Sequence, residues 1–144
     1  FRLVCQLLEE YRVGPMPGLE EALDALRRRG IPFGVVSSSW RWYVEHCLRE
    51  LGMYEDAAVI VTGSDGLPLK PAPAPYQAAA RVFRPAPPGA VRAVEDSGSG
   101  VRSAVAAGLA CAAVYNPDSG AQDLSPARWR LNSLYELPAL LDGN

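Results

Sequence analysis

Long apolar runs, a basic excess and paired cysteines are all missing from this chain. No stretch approaches the roughly 20 apolar residues needed to span a bilayer, so no membrane partner is expected. No signal-peptide pattern opens the sequence. Lys and Arg total 14 against 16 Asp and Glu, a formal charge of −2. That near-balance gives no electrostatic footprint for nucleic acid or an acidic membrane. Cys5, Cys47 and Cys111 are odd in number and lack metal-ligand spacing. Each falls in an apolar context, which reads as buried free thiols in a reducing cytoplasm. His46 is the sole histidine, and with no partner cluster it reads as a surface residue rather than a base. No internal repeat is evident, and the only low-complexity bias is a proline-alanine stretch at residues 71–75. Methionine is also absent from position 1. The chain starts at Phe1, and Leu3, Leu7, Leu8 and Tyr11 already keep helical spacing with no N-cap before them. This pattern is expected of a segment whose beginning lies elsewhere.

What is present reads as one α/β domain. The 144 residues, 49% of them hydrophobic, suffice for a real core. Residues 1–13 read as a helix or its last turns, and Gly14-Pro15-Met16-Pro17-Gly18 breaks it as a hinge. Leu19, Ala22, Leu23 and Leu26 then form an i, i+3, i+4, i+7 stripe. Glu20 and Glu21 open that helix and Arg27 to Arg29 close it, complementing its dipole. Apolar runs at 31–36, 58–62, 90–95 and 110–115 read as buried parallel strands. Between them, Trp40, Val44, Cys47, Leu48 and Leu51 share one helical face. Tyr76, Ala79, Ala80 and Phe83 share another, and Val101, Ala104 and Val105 a third. The prolines at 71–75 predict an extended, stiff segment. After Asn116-Pro117-Asp118 the chain reads as irregular, with a short closing helix marked by Leu134, Leu137 and Leu141 and N-capped by Ser133. Trp129 and Arg130 read as packing of this tail. Strands alternating with helices mean a parallel sheet covered on both faces, linked by right-handed crossovers.

Three polar groups follow strands: Ser37 to Ser39, Lys70, and Glu95-Asp96. Parallel strand ends lie on one sheet edge, where ligands gather. Taken singly, a serine run before a helix is an N-cap and a loop lysine a solvated charge. Taken together they suit phosphoryl chemistry. A hydroxyl and backbone N–H groups cradle phosphate oxygens, a lysine adds a point charge, and paired carboxylates hold a divalent cation.

The order of these motifs resembles the later part of a haloacid dehalogenase (HAD) superfamily hydrolase, of the phosphoglycolate phosphatase and β-phosphoglucomutase type. The resemblance covers nearly all of the chain. Pro17-Gly18-Leu19 with Ala22-Leu23 and Leu26 resembles the family's entry helix. Val35-Val36-Ser37-Ser38-Ser39 resembles its second motif, Lys70-Pro71-Ala72-Pro73 with Tyr76 its third, and Glu95-Asp96-Ser97 with Gly100-Val101 and Ala107-Gly108 its fourth. It implies a HAD-like Rossmannoid three-layer α/β/α core over residues 15–144, with residues 1–14 as the end of a helical cap and hinge. It implies that Ser37, helped by the Ser38 N–H, binds the transferring phosphoryl group, and that Lys70 neutralises that group and the nucleophile. Asp96 would bind Mg²⁺, with Glu95 as a second ligand or outer acid and Ser97 supporting the metal shell.

The sequence departs from the family pattern in three places. Ala74 stands where the family usually has an acid. Trp40 and Arg41 replace a Lys-Asn pair that resembling mutases use on a second phosphate, which argues against a mutase. The first motif, Asp-x-Asp-Gly-Thr, with its nucleophilic aspartate, is absent and is expected upstream of Phe1 with most of the cap. Asp24, Asp56 and Asp65 cannot replace it by position. Without its strand, the strands at 31–36 and 90–95 are expected to lie two strand spacings apart, about 9–10 Å, with unpaired edges. The resemblance implies a Mg²⁺-dependent phosphatase acting on a small phosphorylated metabolite through an aspartyl-phosphate. The alternatives are a phosphosugar mutase, a metal-free dehalogenase, which the Glu95-Asp96 pair opposes, and a non-catalytic fragment or binding module.

Overall fold

A computed structural model describes residues 14–86 and 89–143. The helix read over residues 1–13, the cap it would end and Cys5 lie outside the described residues.

The first helix, α1 (Leu19–Arg28), buries Ala22 and Leu23 of the expected stripe together with Ala25, which lies outside it, while Leu19 and Leu26 are only partly buried. It starts abruptly because Gly18 turns the chain at φ +87° and presses on the backbone of Leu134 and Tyr135, where a Cβ would collide. Leu134 N donates to Pro17 O at 3.2 Å, joining the start of α1 to the closing turn.

Five strands follow: β1 (Phe33–Val36), β2 (Ala57–Val61), β3 (Arg92–Glu95), β4 (Ala110–Val114) and β5 (Trp129–Leu131). The intervening helices are α2 (Arg41–Glu50), α3 (Ala74–Val82) and α4 (Gly98–Ala106), and α5 (Leu137–Asp142) closes the chain. All strand pairings are parallel, but they form two sheets, β1–β2 and β3–β4–β5. Among the described residues β1 and β3 do not pair with one another, as the sequence leads one to expect.

The three-stranded sheet has the three-layer build. Its central strand β4 alternates. Cys111 and Ala113 pack with Tyr76, Ala93, Val101 and Ala104 on one face. Ala112 and Val114 pack with Ala22, Leu131, Leu134 and Leu137 on the other. Val101 and Val114 are fully buried, each contributing roughly 1.5–2 kcal/mol of apolar burial. Helix α3 packs on β1 and β2 and also on α4, so it spans the two sheets.

The structure corrects four expectations. β5 forms within the tail read as irregular. It pairs Trp129, Arg130 and Leu131 with Ala112, Ala113 and Val114, and three residues are too few to show a period. Helix α3 begins inside the proline stretch, because Pro75 occupies the first turn, where a missing N–H costs nothing. Trp40 precedes α2 in extended conformation and is 72% exposed, so it does not join the buried face of Val44 and Leu48. Val105 is exposed, and Ser103 takes the inner position beside Ala104. Ser133 heads a short turn, Leu134–Glu136, leading into α5. No helix of the described residues is long and apolar enough to cross a membrane.

Candidate active site

The parallel strands deliver the polar groups to one edge. Ser37 follows β1 directly, and its N–H still donates to Val61 O at 2.9 Å, in line with β2. Its hydroxyl accepts from Ser39 N at 3.1 Å, which folds the serine run into a tight turn. Ser38 is exposed at its tip. The loop after β2 lies against this turn, since Gly63 N donates to Ser39 O at 2.8 Å and Arg41 N to Ser64 Oγ at 3.0 Å.

Lys70 ends the same loop and links the two sheets. Its Nζ donates to Val36 O at 2.9 Å, at the end of β1, and to Glu95 Oε1, at the end of β3. The Lys70 side chain is 9% and the Glu95 side chain 6% exposed, so solvent screens the pair little. Glu95 Oε1 also accepts from Tyr76 Oη at 2.7 Å, and its Oε2 from Ser97 Oγ at 3.3 Å. Burial, and then the Glu95 charge, push the Tyr76 hydroxyl far above the usual tyrosine range. That keeps it a donor. Burial and then the same carboxylate push the nearby Cys111 thiol up to about 12, with Lys70 pulling it down. Cys111 therefore stays a neutral core thiol.

The neighbouring acid faces differently. Asp96 is half-buried, and its Oδ2 accepts from Asn116 Nδ2 at 2.8 Å and Ser119 Oγ at 3.0 Å. The structure thus ties Lys70 to Glu95 and to the carbonyl of Val36, the residue before Ser37, and sets Asp96 next to Glu95 at the end of β3. Ser97 caps α4, accepting from Gly100 N at 3.1 Å. Asp96 offers carboxylate oxygen of the kind a hard cation such as Mg²⁺ takes, whereas both Glu95 oxygens are already engaged by Lys70, Tyr76 and Ser97, which does not suit the second-ligand role the resemblance implies for Glu95. Among the described residues, no three His, Cys, Asp or Glu side chains gather into a metal cluster.

Sequence reasoning missed Tyr76 as a polar participant, and Asn116 and Ser119. The sequence places Tyr76 on a core face and in the third motif and gives its hydroxyl no role, yet a buried tyrosine hydroxyl requires a partner. Asn116 lies two residues past the end of β4 and reaches the same edge by the strand-end rule that found Lys70. A further signal is compositional, because Lys70 is the only lysine in the chain.

The haloacid dehalogenase-like hydrolase family matches residues 2–114. The chain belongs to that family. It is 36% identical over 129 residues to the protein YhcW of Bacillus subtilis (strain 168), covering 88% of this chain and 58% of that one. It is 31% identical over 127 residues to the phosphoglycolate phosphatase of Xylella fastidiosa (strain 9a5c), covering 88% and 55%. The crystal structure of CbbY from Rhodobacter sphaeroides in complex with phosphate matches at a TM-score of 0.82 and 30% identity, covering 92% of this chain and 60% of that one. The chain therefore spans little more than half the length of the curated relatives it matches. These likenesses establish a chain of the HAD-like hydrolase family with the fold the motifs imply.

Proposed function

We propose that this chain carries most of the active site of a Mg²⁺-dependent phosphatase acting on a small phosphorylated metabolite in the cytoplasm. The observation that carries this reading is the position of Lys70. One buried ammonium is held between the end of β1, beside Ser37, and the end of β3, beside Asp96. A phosphoryl group at this edge would meet the Ser37 hydroxyl and the Ser38 N–H on one side and the Lys70 charge on another. Catalysis of phosphoryl transfer is largely such positioning and charge stabilisation. Asp96, with Glu95 behind it, would hold Mg²⁺, which supplies further charge neutralisation at the phosphoryl oxygens. The nucleophile would be an aspartate outside these 144 residues, attacking phosphorus and displacing the alcohol of the ester to give an aspartyl-phosphate, which water then hydrolyses to inorganic phosphate and the free aspartate. The three aspartates weighed as replacements are engaged elsewhere: Asp24 and Asp56 pair with Arg27, and Asp65 with Arg41. On its own the 144-residue chain is therefore expected to be inactive.

The Arg41 guanidinium is engaged by Asp65 at 2.8 and 2.9 Å and by Glu45 at 3.3 Å, which weighs against its holding a second phosphate as a mutase would require. The test is Asp96→Asn in the full-length protein, with hydrolysis of 4-nitrophenyl phosphate followed in Mg²⁺. Turnover should fall to background. Retained turnover would remove Asp96 from the site, and a wild type with no phosphatase activity would favour a binding module.

A further inference from the structure

Glu95 and Asp96 are adjacent in sequence and opposite in setting. Side chains alternate across a strand, so Glu95 turns inward toward α3 and α4 while Asp96 opens to the sheet edge. Glu95 is buried at 8% exposure and confined on several sides. Lys70 and Tyr76 both donate to Oε1, and Ser97 donates to Oε2. The first turn of α4 closes the remaining side at Gly100, where a Cβ would overlap the carboxylate itself. The Tyr76 ring is fixed in turn, packed among Ala93, Val101 and Ala104 in the core. A buried carboxylate with a single lysine partner could swivel about its side chain. A second donor on the same oxygen, delivered from a rigid ring, removes that freedom.

We propose that Tyr76 is a positioning residue of this site: its hydroxyl holds Glu95, and Glu95 in turn holds the Lys70 ammonium against the end of β1. This deepens the phosphatase reading and rests on it for its catalytic consequence. Glu95 then serves the lysine first, and Asp96 is the acid that faces the metal. Removing the Tyr76 hydroxyl lets the carboxylate turn within its slot, and the Lys70 charge shifts from the place where the phosphoryl oxygens collect. The loss falls on the transition state rather than on substrate binding.

Tyr76→Phe in the full-length protein keeps the ring and removes only the hydroxyl. With 4-nitrophenyl phosphate and Mg²⁺, kcat should fall about tenfold, the size expected for one lost hydrogen bond to a charged group. KM should stay within about twofold, since uniform binding is untouched. A readout independent of activity comes from the protein grown on ¹³C-lysine, with the Lys70 Cε signal assigned from Lys70→Arg. That signal should move in Tyr76→Phe. If it does not move, or if it moves while kcat stays at the wild-type value, the proposal is overturned. If the wild type shows no hydrolysis, the phosphatase reading fails, and the Lys70 signal still decides whether Tyr76 positions the lysine. Should Tyr76→Phe not fold, Glu95→Gln replaces it, and an unmoved Lys70 signal there overturns the chain of contacts at its centre.

Discussion

β1 and β4 are both short, apolar and parallel, yet their settings differ sharply. Every residue of β4 from Cys111 to Val114 is buried, with β3 on one edge, β5 on the other and helices over both faces. Every residue of β1 is only half-buried, and its one strand partner among the described residues is β2. An apolar run states how much cover a strand is made for and leaves open which element supplies it. β4 finds that cover inside the chain. β1 carries Phe33, Val35 and Val36 into a setting the described residues cover only in part. The two halves meet through α3 and through the Lys70 contacts, so the candidate site sits at the seam between a finished sheet and a half-covered one.

The strongest way to break that seam is at Gly100. Gly100→Ala places a methyl group where the Glu95 carboxylate lies. The carboxylate must leave its slot, and the buried Lys70 then loses its partner. Breaking a buried ion pair costs about 3 kcal/mol or more, against which Ala gains under about 1 kcal/mol in helix propensity. Urea denaturation should show a net loss of about 2 kcal/mol or more, with phosphatase activity lost in the full-length protein. A change within about 0.5 kcal/mol, the range of an ordinary surface substitution, would show that Glu95 can swing aside freely and that the seam is not held there.

A pair of matched truncations sharpens the comparison itself. Val114→Ala removes two methyl groups from a fully buried position in β4 and should cost about 2 kcal/mol. Val35→Ala removes the same groups from half-buried β1 and should cost about 1 kcal/mol, in proportion to the area involved. Equal costs, read from urea midpoints at constant slope, would mean that β1 is as fully covered in solution as β4.

The same contrast explains what the sequence disclosed. Helix α1 was legible because Ala22, Leu23 and Leu26 recur at helical spacing. The site edge was legible because Ser37, Lys70 and Asp96 each follow a strand, and parallel strands must end together. β5 was illegible because Trp129, Arg130 and Leu131 form a strand by docking on β4, a tertiary effect that three residues cannot announce. The start of α3 was obscured by a prior against proline that does not apply to a first turn. Trp40 kept helical spacing with Val44, but the chain is still extended there and the α-helix has not begun. Tyr76 was legible as core and illegible as a donor to Glu95, because residues 19 apart meet only through the crossover.

The smallest expected effect lies in the half-covered region and tests whether its loops rely on charge. Asp65 is partly buried, which by itself would raise its carboxyl. The Arg41 guanidinium and the Thr62 N–H and hydroxyl more than offset this and hold it below the usual carboxylate range. A carboxyl held lower in the folded state than in the unfolded one stabilises fully above about pH 4, its unfolded value. That contribution fades as pH falls through the lower folded value. Wild type should therefore lose more stability between neutral pH and acid below about pH 4 than Asp65→Asn does, with the difference read from urea midpoints at each pH. Because Arg41 N also bonds Ser64 and the same loop rests on Ser39, the lost contacts release the loop over the serine turn rather than the β4 core. Identical acid dependence in the two proteins would show that the β1–β2 half does not rely on the Asp65 charge.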